Sequence, residues 1–308
     1  MTAGFGARLA TAVLGKRTPL LVGIDPQASE LPAELFPPGG RSLVAVAQAY
    51  ETFGGRVIEQ VADLVPAVKF QLAFFEALGV PGWQALDRLA HKASEAGLIV
   101  IFDGKRNDIG NTAAAYAEAY LGAANGVRAW PADALTVNPY LGAEGLEPFI
   151  KACREHGTGI FVLVRTSNPG AASVQHSRAS GGTVSETIAD WVEAAAASSV
   201  DGDGRYGAAG AVTGATAPGE IAGYRARMPH AWLLLPGYGA QGGTAADCAE
   251  AFDADGLGAI VNSSRGILFA YKQPRFAGMK WEQAVREATL AAIADLAAHT
   301  PAGALRKS

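Results

Sequence analysis

The sequence predicts an α/β protein of the (β/α)8 TIM-barrel class, folded as a single domain over residues 1–308. Short apolar runs alternate strictly with helical stretches, and the count reaches eight of each. The apolar runs are continuous, as is typical of parallel strands covered on both faces. No break in composition and no linker divides the 308 residues. A doubly wound open sheet is the main alternative.

The predicted strands are short and end in polar residues. They cover 19–25, 66–71, 98–103, 133–138, 159–165, 208–213, 232–236 and 258–262. The predicted helices cover 41–63, 83–96, 111–123, 144–156, 184–199, 218–228, 243–252 and 281–298. An N-terminal extension over 1–16 is expected to be an amphipathic helix, and the tail over 300–308 is expected to be disordered. The Gly- and Ser-rich loops at 124–132, 170–183 and 200–207 are expected to be surface insertions or mobile covers.

The composition excludes several classes of protein. A formal net charge of −4 argues against general affinity for nucleic acid. No apolar run approaches the ~20 residues needed to cross a bilayer. The first 17 residues have no continuous apolar core of the kind found in a signal peptide. We therefore expect a cytoplasmic protein with neither a membrane nor a nucleic acid as a partner.

A metal or redox centre is not expected either. The two cysteines, Cys153 and Cys248, fall in predicted helices and show no metal-binding or redox spacing. The five histidines are scattered and form no pair with the spacing of metal ligands.

Four charged residues are predicted to gather at the carboxyl ends of the strands, where the active sites of this fold lie. Asp103 and Lys105 close the third strand, and their spacing of two places both side chains on one face. Asp108 follows in the loop before the next helix, and Lys69 lies on the second strand. Such charges are costly at the end of a buried strand unless they compensate one another. The pattern favours an active site, and an ion pair that ties a loop to a helix is the alternative.

The alternating charges of this set indicate proton-transfer chemistry. Two lysines and two aspartates sum to zero, so they can occupy a partly dry site. At ~4 Å and an effective dielectric constant of about 20, each neighbouring pair interacts by about 4 kcal/mol, which favours the charged forms. A protonated lysine between carboxylates is suited to giving a proton to a carbon that becomes an anion. A fixed carboxylate would also repel a substrate carboxylate until CO2 leaves.

A phosphate site is predicted after the seventh and eighth strands. The segment LLLPGYGAQGGT (233–244) runs from a strand through glycines into a helix predicted to begin near Gly243. Backbone N–H groups and the helix N-terminus could hold an anion there. Arg265, after the next strand, adds a planar fork that suits phosphate oxygens.

The charged segment resembles the orotidine 5′-phosphate decarboxylase family. Asp103-Gly-Lys105-Arg-Asn-Asp108-Ile109 fits the D-x-K-x-x-D-I signature of that family. Supporting segments resemble the family in the same order along the chain: GIDP at 23–26, AVKF at 67–70, TSNPGA at 166–171, PGYGAQGG at 236–243 and NSSRG at 262–266. The length and the insertions resemble the longer bacterial form.

The resemblance implies decarboxylation of orotidine 5′-monophosphate to UMP and CO2, the last step of de novo UMP synthesis, with no metal or organic cofactor. Lys105 would protonate C6 of the pyrimidine, Asp103 would lie against the departing carboxylate, and Lys69 would orient Asp103 and contact the ribose. In the homodimer of the family, three residues would reach into the partner's site: Asp108, Ile109 and Thr112. The remaining substrate-binding residues would be Asp25 at the ribose, Ser167 at the amide edge of the pyrimidine, Gln241 and Arg265 at the phosphate, and Pro169, Gly237 and Ser264. The loops after strands five and seven would close over the substrate.

Two alternatives stay open. Metal-dependent sugar-phosphate decarboxylases or aldolases of the same barrel superfamily also carry D-x-K-x-x-D, but their metal site resembles one that uses a carboxylate from strand two. This chain has Lys69 there, and an ammonium would repel Mg²⁺. The second alternative is a non-catalytic barrel that binds a phosphorylated metabolite.

Overall fold

Eight parallel strands form a closed barrel in the computed structural model, which describes residues 3–37, 40, 42–179, 181–202, 204–215, 218–239 and 241–307. The strands are β1 (Leu20–Ile24), β2 (Ala67–Gln71), β3 (Ile99–Arg106), β4 (Ala134–Val137), β5 (Gly159–Arg165), β6 (Ala209–Thr213), β7 (Leu233–Leu235) and β8 (Ala259–Ser263). Each strand pairs with the next, and β8 pairs with β1 to close the barrel. The predicted (β/α)8 class is confirmed, and the alternative of an open sheet is wrong.

Helices surround the barrel. They are α1 (Phe5–Lys16), α2 (Leu43–Val61), α3 (Leu72–Glu76), α4 (Val80–Glu95), α5 (Gly110–Leu121), α6 (Glu147–His156), α7 (Ala172–Gln175), α8 (Val184–Ala197), α9 (Pro218–Arg227), α10 (Arg265–Leu268) and α11 (Trp281–His299). Short 3-10 helices occur at Ala33–Leu35, Ala143–Gly145, Pro169–Ala171, Ala246–Ala251, Ala270–Lys272, Pro274–Phe276 and Pro301–Arg306. Within the described ranges, no helix is both long and apolar enough to cross a membrane.

The strands are apolar throughout because both of their faces are covered. All five residues of β1, with the sequence LLVGI, are buried between the barrel interior and the helices. The first residues of β2 and β3 are apolar, and charged residues follow at Lys69 of β2 and at Asp103, Lys105 and Arg106 of β3. The same end of the barrel therefore collects the charged groups of neighbouring strands.

The predicted boundaries are close for seven strands and differ for β3. Seven strands match within one residue at each end, whereas β3 continues three residues further, to Arg106. The helix predicted over 243–252 is wrong as an α-helix, because the structure has only the 3-10 helix Ala246–Ala251 there. The described residues of the insertion over 170–183 include α7 and an antiparallel pair, Arg178–Ala179 with Gly182–Thr183.

Helix α1 covers the amino-terminal end of the barrel. Phe5 is buried, and its ring meets the ring of Phe161 edge-on at a centroid distance of 5.8 Å. Gly159 allows this approach, because a Cβ there would lie 2.2 Å from the Phe5 ring. The indole Nε1 of Trp232 donates to the carbonyl of Gly6 at 3.2 Å. The predicted N-terminal helix is present and fills the end of the barrel opposite to the charged groups.

The C-terminal segment is ordered over 301–306, so the expectation of a disordered tail over 300–308 is wrong for these residues. Pro301–Arg306 form a 3-10 helix, and Ala302 and Leu305 are buried. Gly256 makes room for this helix, because a Cβ there would lie 2.9 Å from the Cα of Ala302. Ser308 lies outside the described residues.

We expect Phe5→Ala to lower the free energy of unfolding by about 3–5 kcal/mol, because it removes a fully buried ring that the barrel end cannot refill. Leu14→Ala is the matched control: Leu14 lies on the same helix but is 50% exposed, so its loss should cost less than about 0.5 kcal/mol. Denaturant unfolding measures both. Equal effects of the two substitutions would show that α1 is not part of the core.

Candidate active site

A cavity of about 950 Å³ opens at the carboxyl ends of the barrel strands. Every strand or the residue just after it contributes a side chain to its wall: Asp25, Lys69, Asp103, Thr136, Leu163, Val212, Leu234 and Asn262. The wall combines apolar residues with a small number of charged groups on one side, formed by β1, β2 and β3. This is the usual position of an active site in the fold.

The carboxylate of Asp103 lies between two ammonium groups. Lys69 Nζ donates to Asp103 Oδ2 at 2.7 Å, and Lys105 Nζ donates to Asp103 Oδ1 at 2.6 Å. The Lys69 side chain is only 5% exposed, whereas that of Lys105 is 46% exposed. Lys69 is thus fixed in the wall, while Lys105 reaches into the open cavity. The predicted grouping of these three residues is correct.

Two neutral side chains complete the contacts of Asp103, and the sequence analysis did not identify them. Thr136 Oγ1 donates to Asp103 Oδ1 at 2.8 Å, and Gln71 Nε2 donates to Oδ2 at 3.1 Å. Gln71 lies two residues after Lys69 on β2, so it shares a face with that lysine, and its Cα is the register partner of Asp103. The spacing of two between Lys69 and Gln71 was the sequence signal for Gln71. The signal for Thr136 was its position as a single threonine within the apolar run of β4.

Burial and charge act in opposite directions on the pKa values of this group. Burial alone would raise the pKa of Asp103, but Lys69 and Lys105 outweigh it and hold the pKa of this carboxyl well below its ordinary range. Burial would likewise lower the pKa of Lys69, but the carboxylates of Asp103 and Asp25 raise it above its ordinary value. Asp103 and Lys69 are therefore both charged at neutral pH.

Two buried oxygen acceptors in the cavity wall have no hydrogen-bond partner among the described residues. These are Oδ1 of Asp25 and Oδ1 of Asn262. Asp25 Oδ1 lies 3.9 Å from Lys69 Nζ, and Asn262 Nδ2 donates to Ser264 Oγ at 3.2 Å. Buried acceptors usually find a donor. A ligand that carries hydroxyl groups would satisfy them.

The fourth predicted charge, Asp108, is not brought to the other three within this chain. Its Oδ1 accepts the backbone N–H of Ile109 at 2.9 Å. Ile109 is 55% exposed, and Thr112 is exposed on the first turns of α5. None of these three residues is among the described residues that line the cavity. They form a separate group on the loop and helix that follow β3, in which Asp108 is half-buried and Ile109 and Thr112 are exposed.

The residues predicted at the phosphate end line two cavities. Gln241 lines the first cavity, whereas Arg265 lines a second cavity of about 1170 Å³ together with Gly239 and Gly243. Gly237 has a φ of +103°, which favours glycine, and its carbonyl accepts the N–H of Gly243 at 3.1 Å. The loop thus folds back on itself. The predicted helix N-terminus at Gly243 is wrong, so an anion there would depend on side chains and loop amides.

The loop after β5 contributes Ser167 to the cavity wall. Ser167 lines the cavity together with its neighbours Asn168 and Gly170. Pro169 is the first residue of the 3-10 helix Pro169–Ala171 and fixes the turn between these neighbours. Ser264, after β8, faces Asn262 through the hydrogen bond given above.

Two arginines near the site are tied into the fold. Arg165 Nε lies 3.2 and 3.1 Å from the two carboxylate oxygens of Glu220 on α9, and His176 Nε2 lies 3.0 Å from the same carboxylate. Arg106, inside the D-x-K-x-x-D segment, forms an ion pair with Glu76 of α3. These contacts anchor the loop after β5 and the end of β3, respectively.

The described residues contain no group of three or more His, Cys, Asp or Glu side chains placed to hold a metal ion. The side chain nearest to Asp103 on β2 is an ammonium, which is a poor neighbour for a divalent cation. The chemistry that this arrangement supports is proton transfer and electrostatic stabilisation by fixed charges.

The sequence matches a known family over most of its length. Residues 18–280 match the family model described as the orotidine 5′-phosphate decarboxylase / HUMPS family. This span begins just before β1 and includes all eight strands and the whole charged centre.

Individual relatives are similar over nearly the whole chain. An orotidine 5′-phosphate decarboxylase of Rhodopirellula baltica is 48% identical, over 93% of this chain and 96% of its own length. One of Deinococcus radiodurans is 45% identical, over 88% of this chain and 91% of its own length. The structure of Leishmania donovani OMP decarboxylase is similar with a TM-score of 0.73 and 30% identity, and the match covers 99% of both chains.

Proposed function

The chain belongs to the orotidine 5′-phosphate decarboxylase / HUMPS family, and we propose how its residues convert orotidine 5′-monophosphate to UMP and CO2 in pyrimidine biosynthesis. The observation that carries the proposal is the Asp103 carboxylate held between Lys69 and Lys105 at the mouth of the barrel. The family model also covers other enzymes of this barrel. The decarboxylase is favoured among them because relatives at 48% and 45% identity carry that name.

Lys105 is the proton donor in this proposal. The bond between C6 of the pyrimidine and the carboxylate breaks, the electron pair stays on C6, and CO2 leaves. The Lys105 ammonium then transfers one proton from Nζ to C6, which gives UMP and a neutral amine. Support comes from position: Lys105 is half-exposed in the cavity and bonded to Asp103 at 2.6 Å. A cation held there stabilises the developing carbanion before the proton moves.

Asp103 acts on the substrate carboxylate. Its lowered pKa keeps it ionised at neutral pH, and it is buried with only 7% of its surface exposed. A fixed negative charge in a partly dry site repels the carboxylate of the substrate. The repulsion disappears as CO2 departs, so it raises the energy of the bound substrate relative to the transition state. Lys69 holds Asp103 in this position.

Asp25 and Lys69 would hold the ribose. Asp25 Oδ1 is a buried acceptor that lacks a hydrogen-bond donor and lies 3.9 Å from Lys69 Nζ. A ribose hydroxyl can donate to the carboxylate and accept from the ammonium, which suits this pair. Both side chains line the same cavity as Asp103 and Lys105.

The phosphate and the pyrimidine would occupy the loop side of the cavity. Gln241 and Arg265 would bind the phosphate, with Gly237 and Ser264 shaping the two loop ends. Ser167 would read the amide edge of the pyrimidine, with Pro169 fixing its loop. Gln241 and Arg265 line separate cavities in this structure. Movement of the loops after β5 and β7 would bring both side chains to the same phosphate group.

We place the remaining residues, Asp108, Ile109 and Thr112, in the partner's site of a homodimer. They lie at the mouth of the barrel but outside the cavity of their own chain. Ile109 is an exposed apolar side chain next to the half-buried Asp108, and an exposed apolar side chain suits burial against a second copy. Asp108 would then supply the fourth charge of the neutral set in trans.

No metal takes part in this proposal. The metal site of the sugar-phosphate enzymes of the same superfamily resembles one that uses a carboxylate from strand two, where this chain has Lys69. The ammonium of Lys69 instead donates to Asp103 at 2.7 Å. A barrel that only binds a phosphorylated metabolite would have no use for the proton donor, and Lys105 is present. A cytoplasmic location fits the two free, buried cysteines, Cys153 and Cys248.

We expect the protein to turn over orotidine 5′-monophosphate in the presence of excess EDTA, and Lys105→Ala to reduce kcat by a factor of about 10⁴ or more, because it removes both the proton and the stabilising charge. The ultraviolet absorbance change of the substrate measures the rate. Lys151→Ala is the control, because Lys151 is a surface lysine with a side chain 74% exposed.

Loss of wild-type turnover in EDTA with recovery in Mg²⁺ would contradict the metal-free mechanism. Turnover by Lys105→Ala at the wild-type rate would contradict the assignment of the proton donor. Folded wild-type protein with no activity on this substrate under either condition would redirect the assignment to the sugar-phosphate enzymes.

We expect a mixture of Asp108→Asn and Lys105→Ala proteins to recover activity that neither has alone. A hybrid dimer combines the Lys105 of one subunit with the Asp108 of the other and so contains one intact site. Random exchange would give about a quarter of the wild-type activity. Subunit exchange is followed by mass spectrometry of the dimers. Inactive mixtures in which hybrids have formed would show that Asp108 does not act in trans.

A further inference from the structure

Thr136 makes two hydrogen bonds that connect the two reactive residues. Its hydroxyl donates to Asp103 Oδ1 at 2.8 Å and accepts the backbone N–H of Lys105 at 2.9 Å. One hydroxyl has one hydrogen and free lone pairs, so both bonds can form at once. Thr136 is 1% exposed, so its hydroxyl is shielded from water.

The pairing of β3 with β4 explains why the backbone N–H of Lys105 donates to a side chain. Phe102 of β3 is opposite Leu135 of β4, and Arg106 is opposite Val137. The three residues 103–105 are therefore opposite Thr136 alone. At such an irregularity the regular backbone hydrogen bonds between the two strands are interrupted. Irregularities of this kind often lie next to active sites, where they change the direction of a side chain. The Thr136 hydroxyl replaces the missing ladder partner, and the ladder resumes where the N–H of Asn138 donates to the carbonyl of Arg106 at 2.9 Å.

The backbone of Lys105 is held in an unfavourable conformation at this point. Its φ is +46°, in the left-handed region that residues other than glycine seldom adopt. Such a conformation persists only where surrounding contacts impose it. The bond from the N–H of Lys105 to Thr136 is a contact on the strained residue itself, and its acceptor, the Thr136 hydroxyl, is buried.

We propose that Thr136 is a positioning residue for the decarboxylation, which fixes the irregularity in β3 and so sets Lys105 Nζ against the Asp103 carboxylate. It acts through these two residues and supplies no proton to the substrate. This inference rests on the proposed role of Lys105 as proton donor. Gln71 orients the other carboxylate oxygen but makes no bond to Lys105, so the coupling of the two residues belongs to Thr136.

The test compares Thr136→Val, which keeps the shape and removes the hydroxyl, with Thr136→Ser, which keeps the hydroxyl. We expect kcat of Thr136→Val to fall about 10- to 100-fold, or about 1.4 to 2.8 kcal/mol in the barrier. KM should stay within about threefold, because the residues that bind phosphate and ribose are untouched. Thr136→Ser should keep kcat within about threefold of wild type.

Thr213→Val is the matched control. Thr213 is fully buried on β6, and its Oγ1 has no hydrogen-bond partner among the described residues, so the same substitution removes no bond. Its kcat should equal that of the wild type. Thermal melts show which variants are folded, and Thr136→Ala replaces Thr136→Val if the latter does not fold.

Two results would overturn the proposal: a hydroxyl-free variant with kcat within about twofold of wild type, or a Thr136→Ser protein as slow as the hydroxyl-free one. Lys105→Ala measured in parallel separates this failure from failure of the proposed function. If Lys105→Ala is inactive while Thr136→Val is fully active, only the positioning role is wrong. If Lys105→Ala is fully active, the assignment of the proton donor is wrong.

Discussion

A buried carboxylate between two ammonium groups is the interaction on which the site depends. Asp103 and Lys69 are 7% and 4% exposed, and neither charge would be stable there without the other. Four donors, two charged and two neutral, satisfy the Asp103 oxygens. The carboxylate is thereby kept ionised and immobile in a cavity where a substrate carboxylate must also fit. In the proposed mechanism, a charge held in this way acts on the substrate carboxylate from a fixed position, without reorganisation of solvent.

The barrel supplies the geometry that this interaction needs. The four donors to Asp103 come from β2, β3 and β4, so the register of three neighbouring strands determines where the carboxylate lies. Helix α1 fills the opposite end of the barrel through Phe5, so the carboxyl-terminal end is the one left open. The long side chain of Lys69 stays inside the wall while that of Lys105 extends into the cavity. The two lysines on adjacent strands thus differ in placement, and the proposed function assigns the support of Asp103 to Lys69 and the proton transfer to Lys105.

The fold and the charged centre could be predicted because their signals are local. Continuous apolar runs define the strands, and a spacing of two places Asp103 and Lys105 on one face. Thr136 and Gln71 could not be predicted, because a neutral polar residue on a strand has many uses and only the register of the neighbouring strand decides among them. The 3-10 helix over 301–306 packs where Gly256 leaves space for Ala302, a tertiary contact with no local signature. The role proposed for Asp108 involves a second chain, so neither the sequence nor the fold of one chain reveals it.

The proposed action of the Asp103 charge on the substrate carboxylate is tested most directly by binding. Affinities for orotidine 5′-monophosphate and UMP are measured by calorimetry in Lys105→Ala and in Lys105→Ala/Asp103→Asn, where turnover does not interfere. The repulsion predicts that Asp103→Asn strengthens binding of the substrate relative to UMP by about tenfold or more, since UMP has no carboxylate beside Asp103. An unchanged ratio of the two affinities in folded protein would contradict the account.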